Sequence, residues 1–147
     1  PSGIRQRAGE RIRRAPDARR AEAYRLSLEG LRTFEKGDGS GAEALLARSL
    51  QLDPKDPVAR YRYGRALHAR KEDAAALAAF EAAIRGARDG PAPIIASAYY
   101  EAARLHERLT HTDQAIAYYR AASTWFGCGA DTRTAATRAL ARLRAAK

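Results

Sequence analysis

The chain has 147 residues, 46% of them hydrophobic and 30% charged, with a formal net charge of +10. That length is the size of one domain, and no run of about 18 apolar residues offers a membrane span. A lone cysteine, Cys128, excludes an internal disulfide, and no leader of charged, apolar and small regions opens the chain. The complete lack of Met predicts a processed product or a fragment of a longer chain, which leaves the compartment open.

Residues 1–20 are read as a basic arm or linker. Arg5, Arg7, Arg11, Arg13, Arg14, Arg19 and Arg20 stand there against Glu10 and Asp17, so half of the net charge sits in this segment. Ile4, Ala8 and Ile12 recur at four-residue spacing and could give a short amphipathic helix, which Pro16 is expected to end. A basic arm suits nucleic acid, an anionic membrane surface or an acidic partner, but the favoured reading is a linker that is solvated and partly packed on the first repeat.

Beyond the arm, Ala, Leu, Arg and Glu dominate, and these favour helix. Helices are expected near 18–36 and 41–52, separated by a loop with three glycines, Gly37, Gly39 and Gly41, that lacks the spacing and lysine of a phosphate-binding loop. The next pair is expected near 57–70 and 73–87. A third is expected near 93–109 and 113–126, with Thr112 or Asp113 as the N-cap. A last helix is expected over 131–147, with Ala136, Leu140 and Leu143 on its apolar side.

These pairs share an internal repeat. Gly64, Ala76, Phe80 and Ala83 are spaced twelve, four and three residues apart, and Ala103, Ala115, Tyr119 and Ala122 keep the same gaps. Gly30, Ala42, Leu46 and Ser49 form a third copy with looser residue choice. Successive copies lie 34 and 39 residues apart, the longer step absorbing the stretch Arg88-Asp89-Gly90-Pro91-Ala92-Pro93. A period near 34 means an array of stacked hairpins. Two helices approach closely only where side chains are small, and a large residue such as Phe80 or Tyr119 then fills the remaining gap.

The period, these small and aromatic positions, Tyr63-Gly64 and the closing Leu52-Asp53-Pro54 resemble the tetratricopeptide repeat of bacterial-type proteins. The resemblance covers about residues 23–126. It implies an all-α, right-handed superhelix of three helical hairpins plus a capping helix. The repeats would lie at about 23–56, 57–92 and 93–126, with the cap at 131–147, in a domain spanning 21–147. Glu29 and Thr33 depart from the family, which prefers apolar residues there.

The same resemblance assigns the inner, concave surface to the first helix of each hairpin. The implied groove residues are Tyr24, Leu31 and Phe34 from the first repeat, Tyr61, Arg62, Arg65 and His68 from the second, and Tyr100, Arg104 and Arg108 from the third. Equivalent places stack as Ser27, Tyr61 and Tyr100, and as Leu31, Arg65 and Arg104. The groove would be apolar and aromatic at its N-terminal end and basic at the other. Tyr and Arg concentrate binding energy at interfaces, although these tyrosines could instead pack between adjacent first helices. Relatives that bind chaperone tails clamp two carboxylates with Lys, Asn and Arg. The matching places here hold Ser27, Leu31, Arg62, Ser97 and Glu101, so that function is not implied.

No catalytic constellation is legible, and an enzyme is not expected. His68, His106 and His111 have no metal-ligand spacing, so neither metal nor cofactor is expected. His106 falls at a repeat position that packs between helices, and Cys128 reads as a tolerated small residue. The leading functional reading is a protein-interaction scaffold whose groove holds a peptide or partner segment with acidic and apolar residues. The alternative is a basic nucleic-acid-binding or self-assembling helical module.

Overall fold

The computed structural model describes the backbone of residues 2–146 and the side chains of residues 17–146. Seven α-helices follow in order: α1 Ser2–Glu35, α2 Gly39–Leu52, α3 Pro57–Ala69, α4 Asp73–Arg85, α5 Ala92–Arg108, α6 Thr112–Thr124 and α7 Ala130–Ala145. A single 3₁₀ turn, Ala87–Asp89, lies between α4 and α5. The described residues contain no strand, and the architecture is an all-α helical-repeat solenoid.

Helix α1 differs from its expected bounds. It passes through Pro16, where the sequence predicts a stop. A proline inside a helix forfeits one backbone hydrogen bond but leaves its own φ compatible with helical geometry. The expected apolar face of Ile4, Ala8 and Ile12 lies outside the described side chains.

The other helix starts follow from local chemistry. The Asp38 carboxylate accepts a 2.8 Å hydrogen bond from the Gly41 N–H, and that of Asp56 accepts one of 2.9 Å from the Val58 N–H. Pro57 then occupies the first helical position, where its missing N–H costs nothing. Helix α6 corrects the expected cap: His111 is its N-cap without a side-chain bond, and Thr112 and Asp113 lie within the first turn. An acidic Asp113 there still complements the helix dipole.

The three turns inside the hairpins are copies of one motif. Gly37, Lys71 and Thr110 take left-handed φ values of 88°, 63° and 62°. The next residue then closes a six-residue ring, with Asp38 N–H donating to the Thr33 carbonyl, Glu72 to Leu67 and His111 to His106. This satisfies carbonyls that the helix end would leave unpaired.

Consecutive helices pack as antiparallel neighbours, and α1, α3, α5 and α7 also touch one another in sequence. The odd-numbered helices therefore form one continuous layer. The core lies between this layer and the even-numbered helices, and it follows the repeat. A Cβ built on Gly30 would stand 2.7 Å from Leu46 Cγ, and one on Gly64 would stand 2.7 Å from Phe80 Cε1. Leu46, Phe80 and Tyr119 are buried at equivalent places. Helix α7 adds Ala136, Ala139 and Leu140 to the cluster around Ala103, Ala115 and Tyr119.

Candidate functional site

The layer of odd-numbered helices carries two adjoining recesses. The first is an apolar slot bordered by Leu31 and Phe34 of α1, Leu46 of α2, and Arg62 and Arg65 of α3. The second, of about 200 Å³, is lined by Phe34, Arg65, His68, Ala69, Phe80, Glu101 and Arg104, so it draws on α1, α3, α4 and α5. Phe34 and Arg65 border both and form the ridge between them.

The guanidinium of Arg65 lies 4.8 Å from the centre of the Phe34 ring and 5.9 Å from that of Tyr61. Two aromatic faces thus hold one cation in place, at an attraction of roughly 0.5–1 kcal/mol each at an exposed site. Arg104 repeats the motif one hairpin later, 5.9 Å above the Tyr100 ring. The tyrosines beneath are themselves anchored. Tyr61 leans on Phe80 with ring centres 5.8 Å apart, and Tyr100 leans on Tyr119 at 5.7 Å. Each tyrosine ring packs on the second helix of its own hairpin, rather than between adjacent first helices, while presenting a face to a cation.

Charge at the site is unevenly matched. Arg104 reaches Glu101 at 3.3 Å, whereas Arg65 has no carboxylate within salt-bridge distance among the described residues. The Tyr61 phenol is held above its ordinary pKa mainly by burial, with Arg65 opposing and Glu101 reinforcing that shift. Tyr119 is pushed up to about 12, by burial first and then by Glu107 and Tyr100.

Several residues expected in the groove are engaged elsewhere. Arg62 donates from Nη1 to the Ser27 hydroxyl at 2.8 Å, and Ser27 is buried rather than presented. His68 Nδ1 lies 3.0 Å from Asp73, and Arg108 reaches the same carboxylate at 3.2 Å. Arg108 borders neither recess, and nor does Tyr24, which stands 64% exposed. Tyr100 instead borders a further recess with Ala135, Arg138, Ala139 and Arg142, where Arg142 is drawn to Glu107 at 2.5 Å. Of the expected set, Leu31, Phe34, Arg62, Arg65, His68 and Arg104 border the two recesses, and Tyr61 does not.

Phe80 lies fully buried in the core, as expected, and the sequence did not show that it floors the recess from below. Sequence reasoning also missed the meeting of His106 and His111, whose Nδ1 atoms lie 3.3 Å apart across the α5–α6 turn. His106 is 8% exposed and faces Glu81 and Tyr118, which fits its expected packing role. Their five-residue separation is the one signal available, because the shared turn motif folds that spacing back on itself. Among the described residues, no group of three His, Cys, Asp or Glu side chains could hold a metal ion, and no helix is long and apolar enough to cross a membrane.

Family models described as tetratricopeptide repeat match residues 33–96 and 96–126. No curated protein sequence matches the chain. Among solved structures, the chain is similar to the first TPR of Spaghetti (RPAP3) bound to the HSP90 peptide SRMEEVD, with a TM-score of 0.72 and 20% identity over 86% of this chain and 93% of that one. It is similar to the Arabidopsis OM64 TPR domain, with a TM-score of 0.73 and 15% identity over 88% and 99% of the two chains. PcrH in complex with the chaperone binding region of PopD gives a TM-score of 0.72 and 17% identity over 83% and 90%. At these identities the likeness is one of fold.

Proposed function

The chain belongs to the tetratricopeptide repeat family, and from that premise we propose that it is a protein-interaction scaffold rather than an enzyme, holding an extended partner segment along the odd-numbered helices. Two of the similar structures were solved with a protein segment in place, the HSP90 peptide and the PopD region. The observation that carries the reading for this chain is the recess where Phe34, Arg65, Phe80 and Arg104 converge from four helices. The Phe34 ring offers contact area at low entropic cost, Arg65 sits over it with its donors still available, and Arg104 lies over Tyr100 while paired with Glu101. Such a surface suits a segment that carries acidic and apolar side chains. The aromatic row supplies most of the affinity, and the basic row speeds association and weakens with salt.

The test compares wild type with the double variant Arg65→Glu/Arg104→Glu in pull-downs from the native organism. Arg104 is exposed and Arg65 half-buried with an open guanidinium, so the variant should keep its helical content, which circular dichroism and a melting curve verify. It should lose the acidic partners that wild type captures. Recovery of the same partners by both proteins would reject the groove and move attention to the basic segment 1–20 and to α7.

A further inference from the structure

Resting on that reading, we propose that the recess beside Arg65 is a pocket for a single carboxylate on an apolar stem, and that Glu101 sets this limit by occupying Arg104. The charges around the recess are Arg65, Arg104 and Glu101, and His68 also borders it. Glu101 and Arg104 are paired at 3.3 Å. His68 turns its Nδ1 to Asp73, whose negative charge Arg108 already balances. One guanidinium, that of Arg65, is left without a carboxylate partner among the described residues.

Geometry and charge agree on the ligand. Arg65 is held over Phe34 at 4.8 Å, so little side-chain freedom is lost when it receives an anion. Phe34 is half-buried at the same recess and takes the stem of the incoming side chain, with the fully buried Phe80 ring as the floor behind it. A first carboxylate meets Arg65 and forms a charge-assisted hydrogen bond. A second carboxylate meets Glu101, which is only 22% exposed and already holds Arg104. It must either accept the repulsion of Glu101 or displace it from Arg104. An exposed pair of this kind is worth about 1 kcal/mol at most, so the discrimination is a factor of a few. The pocket therefore selects isolated Glu or Asp residues flanked by apolar ones over runs of acidic residues.

The test uses small probes and the side-chain Nε–Hε NMR signals of Arg65 and Arg104. The probes are 3-phenylpropionate, with one carboxylate, its neutral amide, and phenylsuccinate, with two. In wild type, 3-phenylpropionate should move the Arg65 signal saturably, the amide should leave it nearly in place, and phenylsuccinate should gain little over the monoacid. In Glu101→Gln, the preference for phenylsuccinate over the monoacid should rise about threefold to fivefold above its wild-type value, with Arg104 now responding. Equal responses to acid and amide, or no change of that preference in Glu101→Gln, would overturn the proposal. If the probes fail while Arg65→Glu/Arg104→Glu still abolishes partner capture, the pocket falls and the groove stands. If the probes behave as expected while capture is unaffected, the groove reading falls alone.

Discussion

Arg62 on α3 donates a 2.8 Å hydrogen bond from Nη1 to the hydroxyl of Ser27 on α1, and Ser27 is only 1% exposed. The contact joins the first two repeats through a charged donor and a buried acceptor. Removing the guanidinium strands the hydroxyl away from water, which costs roughly 1–3 kcal/mol. Arg62→Ala should therefore lower the urea midpoint, and Ser27→Ala combined with it should cost less than the two single changes added together. Strict additivity would show that the bond contributes nothing.

The close approach at Gly64 makes an opposite kind of demand. A Cβ there would lie 2.7 to 3.0 Å from three atoms of the Phe80 ring, which is fully buried and cannot swing aside. Gly64→Leu should overpack the crossing and cost about 1–3 kcal/mol. Shrinking the ring makes room, so Gly64→Ala should be better tolerated in a Phe80→Leu background than in wild type. Equal costs in both backgrounds, read from chemical denaturation, would contradict the packing.

Thr110 occupies the turn position that Gly37 fills in the first hairpin, yet it is β-branched at φ 62°. A Cβ substituent in the left-handed region costs roughly 1–2 kcal/mol, part of which glycine returns through its larger unfolded-state entropy. Thr110→Gly should accordingly stabilise the chain by about 0.5–1 kcal/mol. The exposed bond from its hydroxyl to the Leu109 carbonyl is a minor loss. A lower melting temperature for the variant would mean that the turn is not strained.

The fold was legible because backbone proximity restricts residue type. Gly64 and Ala103 face Phe80 and Tyr119 at the same spacing, and only small residues admit such crossings, so the repeat survives as a pattern in the sequence. The site was legible in part. Phe34, Arg65, His68 and Arg104 meet because equivalent turns of successive first helices must align. The partners of long side chains were not legible. Arg62 turns to Ser27 and Arg108 to Asp73 because rotamer and helix crossing, rather than spacing along the chain, decide which acceptor lies within reach. Helix α1 likewise runs on through Pro16, since one missing hydrogen bond does not outweigh helix formation on both sides.

Stability should fall steeply in alkaline solution, and Tyr119 is the principal cause. Its phenol is buried against α7 and is pushed from 10.0 to about 12, by desolvation first, then by Glu107 and Tyr100. Tyr61, Tyr63 and Tyr118 shift in the same direction, each chiefly through burial. A raised pKa in the folded state means that the unfolded chain gives up its proton first as pH rises. The contribution of Tyr119 is therefore fully present below pH 10 and is lost between 10 and about 12. A shift of this size corresponds to roughly 2–3 kcal/mol at most, and solvent screening lowers it. Tyr119→Phe keeps the ring and removes the ionisation, so its unfolding free energy should decline less across that window than that of wild type. Denaturation curves at pH 9 and pH 12 measure the difference. Parallel declines in the two proteins would assign the alkaline loss to the other tyrosines.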